Sequence, residues 1–184
     1  WRYVDAHTLK AMELTEAKQF DQAIEHLEQA LLYPENLEVG KASDDEKNAL
    51  IYHQMGLTYE KMGNSKKAKE FYKKSATSQN NRGMYDLIYF KAKSEEKLGN
   101  TDKANSMYQG LVDKARELRT GGTSNTLVAV EEASSLNNKA VSNSYYLEAL
   151  GQKGLGETQK SRELLESSLK AYKNNLWANV MMEN

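Results

Sequence analysis

Cysteine is absent from this 184-residue chain, and proline occurs once, at Pro34. The first absence excludes disulfides and thiolate metal sites and leaves the redox compartment open. The second removes the strongest helix breaker, so long helices are free to form. Charge of one sign is not in excess either. Charged residues make up 28% of the chain, yet the net charge is −1. A nucleic-acid partner needs a clustered basic surface, so none is expected. No apolar run approaches the roughly 18 residues that span a bilayer, so no membrane partner is expected. No signal-peptide pattern opens the chain, but it begins at Trp1 rather than Met and reads as a piece of something longer.

What the chain has in abundance is helix formers and a repeat. "KMGNSKKAKEFY" begins at Lys61, and "KLGNTDKANSMY" returns thirty-six residues later at Lys97. Upstream of the first copy stand Tyr52, Met55, Gly56 and Tyr59, and downstream Ala68 and Tyr72. Gly56 and Ala68 are small enough to let two helices approach closely, and the aromatics fill the space between successive units. Gly63 ends the first helix in a conformation that costs glycine little. Asn64 or Ser65 can then cap the second.

This spacing resembles the tetratricopeptide repeat, a helix–turn–helix unit of about 34 residues. The same pattern is found around Ile88, Ala92, Gly99, Ala104 and Tyr108, around Tyr145, Ala149, Gly156, Ser161 and Leu165, and around Ala11, Leu14, Phe20, Ala23, Leu27 and Ala30. The expectation is an all-α fold, a single α-solenoid array with four such units near 4–37, 49–82, 85–118 and 142–175. An unrelated helical bundle is the alternative. Two copies depart from the pattern, with Lys91 and Glu95 in the third and Glu148 and Gln152 in the fourth where apolar residues belong. Leu176, Trp177, Val180 and Met181 recur at helical spacing and predict a capping helix over 176–183. Left exposed, that helix could pair two copies in a weak homodimer.

The spacing slips twice. Residues 34–45, in "YPENLEVGKASDD", and 120–141, containing Gly121-Gly122 and "TLVAV", are extra to the repeat. Pro34 stops the helix before the first slip, and Asp44 or Asp45 can cap the helix after it. "TLVAV" reads as extended or as a short helix, and Leu127, Val128 and Val130 need something to pack on. With "WRYVDAHTLKAM" and "YYLEALGQKGLGE", the "YPENLEVGK" loop resembles the C-terminal repeat region of large, Bacteroidetes-type bacterial proteins. In that family the repeats follow an N-terminal domain of unknown function with carbohydrate-related character. The resemblance implies a cytoplasmic parent and supplies no catalytic residue. It departs at 120–141, where the family carries a more aromatic extended segment.

Catalytic constellations are not evident. His7, His26 and His53 form no HExxH, and no second His stands four residues away on the same helix face, so no metal ligation is expected. "GQKGLG" at Gly151 follows no strand and is not read as a phosphate loop. Asp44-Asp45 is read as charge favoured at a helix N-terminus, and Glu131-Glu132 has no acid/base partner in the sequence. No cofactor is expected.

In the family's geometry the first helices line the concave side, and the second, fifth, ninth and twelfth positions of each unit face it. In the first unit these are Asp5, Thr8, Met12 and Thr15. The candidate binding residues come from the other three: His53, Leu57 and Glu60; Tyr89, Lys93 and Glu96; Tyr146, Leu150 and Lys153. The implied function is a non-catalytic scaffold that holds a protein, a peptide or the parent's own N-terminal domain. The alternative is an accessory module of a carbohydrate-active protein, with Tyr89, Tyr146 and Trp177 stacking on sugar rings.

Overall fold

A computed structural model describes residues 2–32, 47–79, 84–120 and 130–183, with side chains described outside 130–136. The loop around Pro34, the expected cap at Asp44 or Asp45, and the "TLVA" segment lie outside the described residues. The described elements are all helical: α1 (Arg2–Glu16), α2 (Phe20–Leu31), α3 (Asn48–Lys61), α4 (Ser65–Thr77), α5 (Leu87–Lys97), α6 (Thr101–Thr120), α7 (Val130–Gly154), α8 (Thr158–Ala171) and α9 (Leu176–Glu183). The all-α class expected from the sequence is what is found. Among the described residues no helix is long and apolar enough to cross a membrane. Two compact units divide the chain, Trp1–Ala104 and Asn105–Asn184.

In the first unit α1 pairs with α2 and α3 with α4, and α5 packs on both α3 and α4. The first helices also meet one another, α1 with α3 and α3 with α5, while no comparable contact joins α2 to α4 among the described residues. Apolar residues show why the hairpins stack. Ala11 and Leu14 of α1 and Ala23, Leu27 and Ala30 of α2 enclose a core that Ile51 and Met55 of α3 complete. Next along, Tyr59, Ala68 and Tyr72 are covered by Ile24 from the hairpin before and Leu98 from the hairpin after. Gly56 is required by this packing, because a Cβ there would lie against the Tyr72 ring.

The turn between paired helices is built the same way four times. The amide of Gly63 donates to the Glu60 carbonyl at 2.9 Å and that of Asn64 to the Tyr59 carbonyl at 2.8 Å. This is the Schellman arrangement, which needs a left-handed residue after the helix. Gly63 has φ +80°, Gly99 +87° and Gly156 +85°. Asn64 then caps α4, its Oδ1 accepting from the Lys67 amide at 3.1 Å. In the first hairpin the amide of Gln19 reaches the Leu14 carbonyl at 2.8 Å, and the left-handed residue is Lys18, φ 59°. A lysine therefore sits where the other three turns have glycine.

In the second unit α7 pairs with α8, and α9 packs on α8. Gly151 lies so close to α6 that a Cβ would come within 2.7 Å of the Tyr108 carbonyl, and one on Gly154 would strike the Tyr108 ring. The "GQKGLG" glycines are thus packing residues. Asn175 fixes α9, accepting from the Ala178 amide at 3.2 Å while its own amide donates to the Ser142 hydroxyl at 3.0 Å. Residues 130–141, expected as part of an insertion, are helical and run without a break into α7. Helix formers such as Glu131, Glu132 and Ala133 continue the helix upstream of the unit boundary that spacing alone suggests.

Replacing Lys18 by glycine should raise stability by roughly 0.5–1 kcal/mol, because it relieves a left-handed lysine. Gly63→Ala should lower it by about 1 kcal/mol or more for the opposite reason. Urea unfolding of both variants checks the pair.

Candidate functional site

The spacings of four and three residues place His53, Leu57 and Glu60 on one face of α3, and Tyr89, Lys93 and Glu96 on one face of α5. The two faces meet. His53 Nδ1 lies 2.8 Å from the Ser94 hydroxyl, and Lys97 donates to Glu60 at 2.9 Å. Depth differs sharply along the face. His53 is 4% exposed and Tyr89 6%, whereas Leu57, Lys93 and Glu96 are half-buried and Glu60 is exposed. Tyr146 and Leu150 of α7 are buried too, and Lys153 is half-buried. Among the nine candidates, Leu57, Glu60, Lys93, Glu96 and Lys153 therefore keep surface to offer a ligand.

The buried members are held by chemistry the sequence does not display. His53 sits between the rings of Tyr72 and Phe90, at 5.7 and 6.0 Å. Burial first, and then the charges of Lys93 and Lys97 against the opposing pull of Glu60, push its pKa down to about 3. It is a neutral hydrogen-bonding residue at neutral pH. Burial, with the charge of Glu96 added, pushes the Tyr89 hydroxyl up to about 12. Burial alone would raise the Glu60 carboxyl. Hydrogen bonds from Tyr72 and Lys97 outweigh that and hold it below its ordinary value.

Exposed ion pairs run along the ends of the first helices. Lys61 reaches back to Glu16 at 2.5 Å, and Lys97 reaches back to Glu60. The lysine of each repeated "KxGN" turn thus pairs with a glutamate of the preceding first helix. Such solvated pairs stabilise little individually, and their effect is mainly on register. Lys93 and Glu96 pair within α5 at 2.5 Å.

Two of the off-pattern residues, Glu95 and Glu148, are buried charges with partners. Glu95, 4% exposed, accepts from Asn100 and from Lys103, each at 2.6 Å. Burial would raise its carboxyl, and these bonds with the lysine charges bring it below the ordinary range. Lys91 donates to the Ser78 carbonyl at 2.7 Å. Glu148, also 4% exposed, is bracketed by Arg116, at 3.0 Å, and Arg119. Arg119 in turn lies over the Tyr145 ring, 4.7 Å from its centre.

Two further groupings escape a reading by repeat position. Lys47, just before α3, pairs with Asp5 of α1, both side chains almost fully covered. Asp86, at the start of α5, has its carboxyl raised by burial, with Lys47 opposing and Asp5 reinforcing. Asp5 and Asp86 share a repeat position, which is a visible signal, but Lys47 precedes its unit and is not. The second grouping is His7 with His26, whose Nδ1 atoms lie 3.0 Å apart across the first hairpin. They are nineteen residues apart on different helices, so a search along one helix face misses them.

Among known families, the tetratricopeptide repeat model matches residues 4–36 and 49–82. These segments hold the α1/α2 and α3/α4 hairpins. No curated protein matches the sequence. Among solved structures, the chain is similar to YrrB, described as a TPR protein with an unusual peptide-binding site. The identity is 17%, the match covers 97% of this chain and 91% of that one, and the TM-score is 0.33.

Two outcomes are expected. Because its folded pKa lies below the ordinary value near 6.5, His53 contributes full stability above about pH 6.5 and loses it as pH falls toward its folded value, by at most about 1.4 kcal/mol per pH unit. Unfolding free energies between about pH 6.5 and 5, above the range where carboxylates titrate, should fall less steeply in His53→Gln than in the unaltered chain. Arg119→Ala should cost about 2–4 kcal/mol in the same assay, because Glu148 keeps its charge with one partner fewer.

Proposed function

We propose that the chain is a non-catalytic scaffold that holds an extended segment of another protein, or of another domain of its own parent, against the first-helix side of its repeats. The observation that carries this reading is the contact of α1 with α3 and of α3 with α5, without a matching contact between α2 and α4 among the described residues. First helices that touch one another leave a shared surface along the stack, and repeat arrays use such surfaces for binding. The side chains that retain surface there fit a peptide. Leu57 offers an apolar contact, while Glu60, Lys93 and Glu96 offer both signs of charge within a short span. Backbone amides and carbonyls of an extended segment, with alternating charges of its own, would complement such a face.

The accessory-module reading, in a Bacteroidetes-type carbohydrate-active parent, has less to stand on. It relied on Tyr89 and Tyr146 as stacking platforms for sugar rings, and both are packed inside. Trp177 is half-buried on α9.

Selection of short random peptides on the full chain tests the proposal. Binders should be recovered, and a Leu57→Asp, Lys93→Glu double variant should weaken them by about tenfold or more, the loss of one apolar and one charged contact. Recovery of no peptide, or equal binding to the double variant, would count against this face as the binding surface.

A further inference from the structure

The pair His7 and His26 has no role in the packing core or in the proposed binding face. His7 lies on α1 and His26 on α2, both half-buried, and with Gln22, Glu25 and Gln29 they line a cleft on the outside of the first hairpin. The Tyr3 ring stacks at a tilt on His7, centroids 4.5 Å apart, and its hydroxyl reaches toward Gln29 Oε1 at 3.4 Å. The His7 and His26 rings are themselves 5.0 Å apart between centroids. The His7 ring is thus held between its contacts with Tyr3 and with His26.

We propose that His7 and His26 form a bidentate site for a divalent transition metal, best matched to Cu2+, with both Nδ1 atoms as ligands. Imidazole nitrogen bonds such metals at about 2.0–2.1 Å, so two nitrogens 3.0 Å apart subtend about 95° at a shared ion. That is close to the cis angle of a tetragonal ion and well short of the tetrahedral angle of about 109° that Zn2+ prefers. The order of intrinsic affinities also places Cu2+ above Zn2+. Among the described residues no group of three or more His, Asp or Glu is placed to hold a metal. The remaining positions therefore fall to water, with Glu25 lining the same cleft.

The metal-free pair is poised for this exchange. At 3.0 Å only one of the two Nδ1 atoms can carry a proton, which it shares with the other. Binding the ion displaces that shared proton from Nδ1, and the same ring takes up a proton at Nε2, so both imidazoles ligate as neutral Nε2–H tautomers with no net proton release.

Titration of the full chain with Cu2+, read by calorimetry and by electron paramagnetic resonance, tests the site. One equivalent should bind with the signature of two nitrogen ligands, and His7→Gln and His26→Gln should each weaken binding by at least about tenfold. A second measurement needs no variant. On the unaltered chain, 15N resonances of the imidazoles with added Zn2+ should shift at Nδ1 of His7 and His26 and not at His53. Copper bound equally by all three proteins, copper not bound at all, or a shift at Nε2 instead of Nδ1 would each overturn the proposal.

Discussion

A hairpin of two short helices has more apolar surface than its own partner can cover. Everything else in the first unit follows from that shortage. The core between α1 and α2 is left open until Ile51 and Met55 of α3 enter it, and the α3/α4 core needs Ile24 behind and Leu98 ahead. Two helices can approach closely only where the facing residue is small. Gly56 under Tyr72 and, in the second unit, Gly154 under Tyr108 satisfy that condition. Each aromatic ring lies on a glycine, so the residue pair, and not either residue alone, is the unit of recognition between helices.

Polar groups taken inside by this stacking are accommodated one at a time. Glu95 and Glu148 occupy repeat positions that ordinarily carry apolar side chains, and each has brought its own cations. Such pairs add little net stability over a well-packed apolar residue, but they tolerate no wrong neighbour. His53 against Ser94 and Thr15 against Thr58, 2.9 Å apart, act in the same sense between successive first helices. A chain made of similar hairpins needs marks that distinguish one junction from the next, and buried polar pairs are suited to that.

Much of the fold was legible because the repeat writes its turn in glycine. Gly63, Gly99 and Gly156 stand at the left-handed positions that the "GN" and "GE" motifs indicate. Lys18 was not legible, since lysine rarely takes that conformation and only the surrounding hydrogen bonds reveal it. The start of α7 was missed for a related reason, because counting residues between motifs locates an excess but does not say what shape it takes. The depth of the candidate residues was not legible. Periodicity groups Tyr89 and His53 each with two other candidates on one face of a helix, but what covers them comes from the neighbouring helices, at distances along the chain that no local pattern encodes. The His7–His26 pair was hidden by the same separation.

The Lys61–Glu16 and Lys97–Glu60 pairs have a consequence for how this chain reaches its structure. Each spans one hairpin to the next, as do the apolar contacts, so nearly all of the packing in the first unit is between neighbours in the sequence of hairpins. Closing such contacts needs only short loops of disordered chain, and there are no distant strands to bring together among the described residues. Any hairpin in that unit can serve as the first to form, with assembly spreading to either side from it. The folding of this unit is therefore governed less by a fixed nucleus than by whichever junction closes first.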